Sequence, residues 1–456
     1  MKKKVLLLVN PVNSYRRGFA NHRTFTFPPV AFGIIAAKTP NNWKVKVLDE
    51  NFQNFRYRDA DLVGITSFTA AAPRAYEIAS VFRERGIPVI MGGIHASMVP
   101  DEALLYVDTV VMGEVEDIWL QIISDFEAGG MQRIYKGGFA NLDNQPMPFH
   151  HIYHPAYAIH AVQTSRGCPY RCDFCSVTAF NGHNYRTRPI KDVLDELELI
   201  PGKNKNIIFV DDNILGAGSE QIDRTKKLLE GIIERKLKLN WFSQTTIDIA
   251  ENEDILRLAR KSGCTMLLLG MEAETMEGLE SVNKKLNLKK TPAYYKKAIR
   301  KIHKHRIGLM RTFIFGLETD SVKDIQNRCN YILRSSIDTI QATILTPLPG
   351  TELYRRLNDN NRLLATQYPE QWKYYHFSDV VFNHPKMENK EFAQIMKLVW
   401  QRMYSKPNLW LRFLGSLWNT RSLKVAVSAY LTNKTYAKVF LEKPIWFGEN
   451  SKENQV

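Results

Sequence analysis

Two long stretches of this chain alternate short apolar runs with helix-length segments, and this rhythm restricts the fold more than any other feature. Over residues 1–140, strands are predicted at 4–10, 44–48, 62–66, 89–91 and 109–112, with helices between them, notably at 71–85 and 116–128. Short apolar runs separated by helices indicate an α/β fold with a doubly wound, Rossmann-like parallel sheet. Over residues 159–375 the rhythm returns. Strands are predicted at 161–167, 207–211, 240–244, 266–270, 308–315 and 339–345, and helices at 190–200, 222–235, 251–261, 292–304 and 321–334. Six such units suit a partial (β/α)6 barrel of the TIM type, whose functional groups gather at the C-terminal strand ends. Residues 141–158 hold three prolines and no clear period, the composition of a linker.

Residues 376–456 differ in kind. Trp, Phe, Tyr and Leu interleave there with Lys and Arg, and acidic residues are scarce. Stripes at helical spacing point to a helical C-terminal extension whose apolar face packs on the barrel mouth and closes the substrate pocket. The competing reading is a basic amphipathic surface at a membrane interface. The formal net charge of +15 leaves nucleic acid, an anionic membrane and acidic substrates open as partners, but no nucleic-acid recognition motif is present. The apolar run after Met1 is too short for a signal sequence and reads as a first strand. No stretch approaches the ~20 apolar residues of a spanning helix. Five cysteines without a disulfide framework indicate a reducing compartment, hence the cytoplasm, with peripheral membrane association as a further expectation.

Three of those cysteines crowd into Cys168-Pro-Tyr-Arg-Cys172-Asp-Phe-Cys175, directly after the first predicted strand of the barrel. Iron–sulfur clusters are normally held by four thiolates. A loop supplying three leaves one iron open to a substrate or cofactor. Zinc is the competing reading, with His160 or His183 as fourth ligand, but the usual separated ligand pairs are missing. Cys264 and Cys329 lie apart and read as small buried hydrophobes.

With Ala161-Val-Gln-Thr-Ser-Arg-Gly167 before the loop and Phe174 just ahead of Cys175, the segment resembles the cluster loop of the radical S-adenosylmethionine (SAM) enzymes. The resemblance implies a 4Fe–4S cluster on Cys168, Cys172 and Cys175 whose open iron chelates SAM, with Phe174 packed against SAM or the cluster. It also implies SAM contacts at the other strand ends. Asp211 and Asp212 would meet the amino group or ribose, Ser243 and Gln244 would close the third strand, and Glu272 of Gly270-Met-Glu272 would lie near adenosine. Arg311 would pair with the methionine carboxylate. The plainer reading of each is a cap or turn, since Asp and Asn favour strand-to-helix boundaries anyway.

Residues 27–33, Asp49-Glu-Asn51, Gly92-Gly-Ile-His-Ala96 and Gly113-Glu-Val-Glu116 resemble the cobalamin-binding domain that precedes many radical SAM cores. Ser67, Phe68, Thr69, Gly92, Gly93, His95, Gly113 and Glu114 are the cobalamin contacts this implies. One departure is that Asn13-Ser-Tyr-Arg-Arg-Gly18 lacks the Asp and His of the D-x-H-x-x-G signature, so cobalamin is expected without a histidine beneath cobalt. His95 reads equally as a loop histidine bonded to backbone. Leu345-Thr-Pro-Leu-Pro-Gly350 matches a segment frequent in the cobalamin-linked group.

The implied function is methylation of an unactivated carbon on a small-molecule, hydrophobic or lipid-like substrate. It would proceed through a 5′-deoxyadenosyl radical and methylcobalamin, with an electron donor such as flavodoxin or ferredoxin. Cyclisation, ring rearrangement or redox chemistry without methyl transfer is the alternative on the same scaffold, and a non-catalytic cobalamin sensor is a third. A methylthiotransferase is disfavoured, because residues 1–140 contain no cysteine. Exposure to air is expected to bleach the cluster, and Cys172→Ala to leave the protein without it, measured as iron content and visible absorbance after anaerobic reconstitution.

Overall fold

The computed structural model describes residues 3–15, 26–143, 145–288, 290 and 292–448. Of the Asn13–Gly18 segment, therefore, only residues 13–15 can be placed. The first sheet has six parallel strands in the order β2-β1-β3-β4-β5-β6. They are β1 (Lys4–Asn10), β2 (Trp43–Asp49), β3 (Leu62–Thr66), β4 (Val89–Gly92), β5 (Thr109–Met112) and β6 (Ile134–Lys136). The helices are α1 (Val30–Lys38), α2 (Ala72–Arg83), α3 (Ile94–Met98), α4 (Pro100–Tyr106) and α5 (Trp119–Glu127). Side chains alternate across each strand. Leu7 and Val9 accordingly pack with α2 and α4, whereas Leu6 and Leu8 pack with Phe32 of α1 and Trp119 of α5. The strand order reverses between β1 and β3, and ligands bind beyond the carboxyl ends at such a switch point. The edge strand β6 was not expected; at three residues it is too short to show a period.

The second sheet is also six-stranded and parallel, in the order β14-β13-β12-β11-β10-β7. It comprises β7 (His160–Val162), β10 (Lys205–Phe209), β11 (Leu239–Thr245), β12 (Cys264–Glu272), β13 (Gly308–Phe315) and β14 (Thr339–Ile344). A two-stranded antiparallel ladder, β8 (Ser165–Arg166) with β9 (Arg186–Thr187), branches off it. Its helices are α6 (Ser176–Asn181), α7 (Ile190–Leu199), α8 (Ser219–Glu234), α9 (Glu253–Lys261), α10 (Met276–Glu280), α11 (Lys285–Leu288), α12 (Pro292–Lys304), α13 (Val322–Arg334) and α14 (Glu352–Asp359). The edges β7 and β14 do not pair, so the barrel stays open. The strand predicted over 161–167 is in fact split. Its first half joins the sheet as β7 and its second half leaves it as β8.

The linker is firmly packed. Tyr153 donates from its hydroxyl to Pro29 O at 3.0 Å and accepts from Gly33 N at 2.9 Å. A Cβ on Gly33 would lie 2.6 Å from that hydroxyl. Residues 365–381, at the seam between the second and third expected units, bury Ala365, Trp372, Tyr375 and Val381 in the core beside α2.

The last helices are α15 (Asn389–Met403), α16 (Lys406–Thr420) and α17 (Leu423–Leu441). They do not cap the barrel mouth as expected. α17 crosses the beginnings of the strands: Val425 abuts Gly308 at the start of β13, and Asn433 Nδ2 donates to Asp338 O at 2.7 Å, just before β14. The physical reason is the open edge of β14. An unpaired edge exposes a row of N–H and C=O groups, and the tail satisfies them one by one. Asn433 accepts from Ile340 N at 3.2 Å, Tyr404 donates to Ile340 O at 3.0 Å, and Trp400 Nε1 donates to Ala342 O at 2.8 Å. Ile344 N is taken by Phe377 O at 2.9 Å. Tyr404→Phe keeps the ring and leaves Ile340 O without its donor, which is expected to cost about 1–3 kcal/mol in urea unfolding. A loss below about 0.5 kcal/mol would show that water reaches this edge instead.

Candidate active site

The cluster loop begins where β7 ends, and two carboxylates fix its approach. Asp211 accepts from Thr164 N at 2.6 Å and Ser165 N at 3.1 Å, and also from the Thr164 hydroxyl. Asp212 accepts from Gly167 N at 2.8 Å and Asn181 Nδ2 at 3.0 Å. Burial pushes both carboxyls above the usual range, opposed by these hydrogen bonds. Gly167 has φ 91°, and a Cβ there would fall 2.1 Å from Asn184 O. The position therefore demands glycine.

From Cys168 the loop is pinned by its backbone. Cys168 N donates to Gly182 O at 3.3 Å, Asp173 N to Val282 O at 3.2 Å, and Leu353 N to Asp173 O at 3.0 Å. Asn283 Nδ2 reaches Arg171 O at 2.6 Å. Phe174 is wedged into an apolar cluster with Leu279, Val282, Ile314, Leu317 and Leu345. The three thiols are half-buried and close enough to influence one another's ionisation. Burial pushes Cys172 up to about 12 and also raises Cys168. Among the described residues, no group of three or more His, Cys, Asp or Glu converges on a single ion. Three thiols from one fixed loop fit an iron–sulfur cluster, which would bind them as thiolates.

Glu272 closes β12 with φ 61°, at a register shift against β13. Lys284 Nζ sits 2.9 Å from its Oε1, and Thr312 Oγ1 donates to Oε2 at 3.2 Å. Burial opposes the Lys284 charge, but Glu272 and the neighbouring Cys172 outweigh it and raise the pKa. The ammonium thus stays protonated beside the thiols. Nothing in the sequence singled out Lys284, which stands on a turn with no motif around it.

Other expected SAM contacts separate by strand parity. Gln244 is exposed at the end of β11, on the same face as the inward Phe242. Ser243 faces the opposite way and spends its hydroxyl on Phe209 O at 2.9 Å. Asp211 is fully buried beneath the approach segment. Arg311 points to the helix layer, its guanidinium 5.7 Å from the Tyr295 ring and 5.6 Å from Phe313, whereas Thr312 faces Glu272. A one-residue offset in a strand places a side chain on the other face, and this removes Arg311 from the thiols' side.

At the carboxyl ends of β3, β4 and β5, the part-exposed Gly92, Gly93 and Gly113 form a low rim, with Ser67 and Thr69 buried just below it. Gly93 and Gly113 have φ 89° and 75°, and Phe68 stands 79% exposed above it. A rim of small residues fits the close approach of a broad flat group such as a corrin. His95 and Glu114 are not part of its open surface. His95 is fully buried, with Nε2 3.0 Å from the Tyr76 hydroxyl and 3.5 Å from Glu102, and Nδ1 3.4 Å from Thr69. Both ring nitrogens are therefore engaged by protein. Glu114 accepts from Arg166 Nη1 at 2.6 Å, Arg186 Nη1 at 3.0 Å and Ala140 N at 3.0 Å. Arg166 also pairs with Glu116. These ion pairs join the first sheet to the residue two positions before Cys168. Gly350, after β14, completes the seam: its ideal Cβ would lie 2.1 Å from Met98 Sδ on α3.

An open barrel with a three-thiol loop, facing the ligand end of a doubly wound sheet, defines a two-cofactor α/β protein. Residues 162–332 match the radical SAM superfamily and residues 16–123 the B12-binding domain. The chain belongs to the radical SAM superfamily, in the group that carries a B12-binding domain. It is similar to bacteriochlorophyllide d C-12(1)-methyltransferase of Chlorobaculum tepidum, at 29% identity over 429 residues, covering 88% of this chain and 90% of that one. It is also similar to the anaerobic magnesium-protoporphyrin IX monomethyl ester cyclase of Rubrivivax gelatinosus, at 28% identity over 66% of this chain and 59% of that one. The fold matches the radical SAM methyltransferase TsrM from Kitasatospora setae, solved with cobalamin and a 4Fe–4S cluster. Its TM-score is 0.69 at 17% identity, over 94% of this chain and 99% of that one. The protein is a cobalamin-dependent radical SAM enzyme, with a 4Fe–4S cluster, SAM and cobalamin as cofactors.

Glu114 provides a test of the seam. Burial alone would raise its carboxyl, but Arg186 and Arg166 hold it below the ordinary Glu value of about 4.3. A carboxylate depressed in the folded state stabilises fully above its unfolded pKa, and the contribution fades as pH falls through the lower folded value. Glu114→Gln is expected to cost about 3 kcal/mol at neutral pH, since it leaves a buried charge uncompensated. It should also flatten the acid limb of Tm against pH, followed by circular dichroism.

Proposed function

We propose that this enzyme methylates an unactivated carbon of an apolar small-molecule substrate, using SAM twice, in the cytoplasm and partly at a membrane surface. The observation that carries this reading is the seam itself: Arg166, two residues before Cys168, is ion-paired to Glu114 and Glu116 beside the glycine rim. On this reading the two cofactor positions are neighbours. The extent of likeness to a named methyltransferase, nearly end to end, supports the same choice. The tail gives no support to a lipid-like substrate, because it packs at the opposite strand ends.

The cofactors supply reductive SAM cleavage and methyl carriage, and the protein supplies binding, orientation and shielding. Cys168, Cys172 and Cys175 would hold the iron–sulfur cluster, with SAM bound beside them. Lys284, rather than Arg311, is the cation for the methionine carboxylate, and Glu272 holds its ammonium in place at 2.9 Å. Gln244 and Asp212 line the same side, while Asp211, Ser243 and Arg311 support the strands from behind. Phe174 fills the space behind the loop with hydrocarbon and keeps water from the thiolates. Ser67, Phe68, Thr69, Gly92, Gly93 and Gly113 receive the corrin, with His95 and Glu114 beneath them as supports. A flavodoxin or ferredoxin delivers the electron.

A second reading, cyclisation without methyl transfer, is favoured by the likeness to the cyclase. The deciding experiment is an anaerobic assay of reconstituted, reduced enzyme with cobalamin and SAM, measuring 5′-deoxyadenosine and S-adenosylhomocysteine together. Both products are expected. Deoxyadenosine alone would move the assignment to cyclisation. Lys284→Met should raise the SAM concentration for half-maximal cleavage at least tenfold, about 1.4 kcal/mol of binding, while iron content stays unchanged.

A further inference from the structure

The basic charge of this chain is gathered by the fold into one place. No acidic residue occurs between Glu280 and Glu318, nor between Glu391 and Glu442. The first acid-free stretch forms α12 and the second forms α16 and α17. In the folded protein α12 and α16 touch. Lys296, Lys297, Arg300, Lys301 and Lys304 line a shallow groove along α12. Lys304 lies 3.7 Å from Glu253, and among the described residues Lys296, Lys297 and Arg300 have no ion pair.

Beside this basic row, α16 exposes an apolar stripe at helical spacing. Trp410 is 55% exposed, Leu411 66%, Leu414 56% and Trp418 84%. Its opposite face, with Leu409, Ser416 and Thr420, is buried. α17 adds exposed Leu423, Val427 and Leu431 at four-residue spacing. Four large apolar side chains on one short helix form a contiguous patch of the kind that marks an interaction site.

We propose that α16 and α12 together dock the enzyme on the surface of an anionic lipid bilayer. Tryptophan and leucine enter the headgroup boundary while the neighbouring lysines and arginine meet lipid phosphates. A second copy of the chain fits the surface less well, since a two-fold contact through α16 brings one basic row of α12 toward another. Nucleic acid would leave Leu411 and Leu414 without a role. No helix among the described residues is long and apolar enough to cross a membrane, so the contact is peripheral.

α17 crosses the far end of the barrel from the thiols, and α12 runs along the barrel wall toward that end from the turn that follows β11. Lys424 reaches Asn240 and Val425 reaches Gly308, both at the starts of strands, whereas Cys168 follows a strand's end. The eight residues of β13 span about 25 Å at ~3.3 Å each. A docked enzyme thus rests on the flank of its barrel, along α12 and α16. This locates the membrane part of the proposed function and is independent of its methyl-transfer part.

The test is co-sedimentation of the reconstituted full-length enzyme with vesicles of phosphatidylcholine, with and without phosphatidylglycerol. The wild type is expected on the phosphatidylglycerol vesicles, and high salt should release it. A Trp410→Ser, Trp418→Ser double variant should bind at least tenfold more weakly. Reversing Lys296, Lys297 and Arg300 to Glu should weaken binding about a hundredfold or more. SAM cleavage in vesicle-free solution should be unchanged in both, which separates failure of docking from failure of the catalytic reading. Wild type remaining in the supernatant, or binding both vesicles equally, would overturn the proposal. So would a dimer that the tryptophan substitutions dissociate, or binding confined to DNA.

Discussion

Where β7 ends, the backbone N–H groups of Thr164, Ser165 and Gly167 lose their strand partner, and the carboxylates of Asp211 and Asp212 take them up. Buried backbone donors must be paired somewhere. Here a neighbouring strand's side chains do what a ladder would otherwise do. The chain can therefore leave the sheet without exposing itself, turn at Gly167 and present three cysteines from a fixed frame. The loop is long, but its position is that of β10.

The same end of the molecule concentrates buried carboxylates. Glu114, Glu116, Asp211, Glu272 and the half-buried Asp212 surround the approach to the thiols, each with donors or cations of its own. The far end carries α17, one of the acid-free helices. A thiolate cluster adds further negative charge, and Arg166, Arg186 and Lys284 are placed among the acids to compensate.

Much of this was legible in the sequence because it depends on periodicity. The alternation of apolar runs foretold both parallel sheets, and the C-x3-C-x2-C spacing located the loop without regard to tertiary structure. What spacing does not carry is parity and partnership. Arg311 and Thr312 are neighbours in sequence, yet one meets Tyr295 and the other Glu272. No spacing distinguishes them without knowing where β13 starts in the sheet. His95 read equally as a cobalamin contact and as a hydrogen-bonded loop histidine, and its partners Tyr76 and Glu102 stand on two other helices that no spacing connects to it. Lys284 was invisible, since its role comes from a turn folding back on a bulged strand. β6 and the β8–β9 ladder are too short to show any pattern.

The sealing of β14 has a bearing on how the protein is made. Its edge groups find their partners in Phe377, Trp400, Tyr404 and Asn433, all later in the chain. While the ribosome is still adding those residues, a parallel edge stands open beside a finished six-stranded sheet, in the state most prone to pair with a neighbour. The interval between completing β14 and releasing α17 is therefore the vulnerable period in this enzyme's biosynthesis. Slow translation of that stretch would be harmful in a way that slow translation of the first sheet would not.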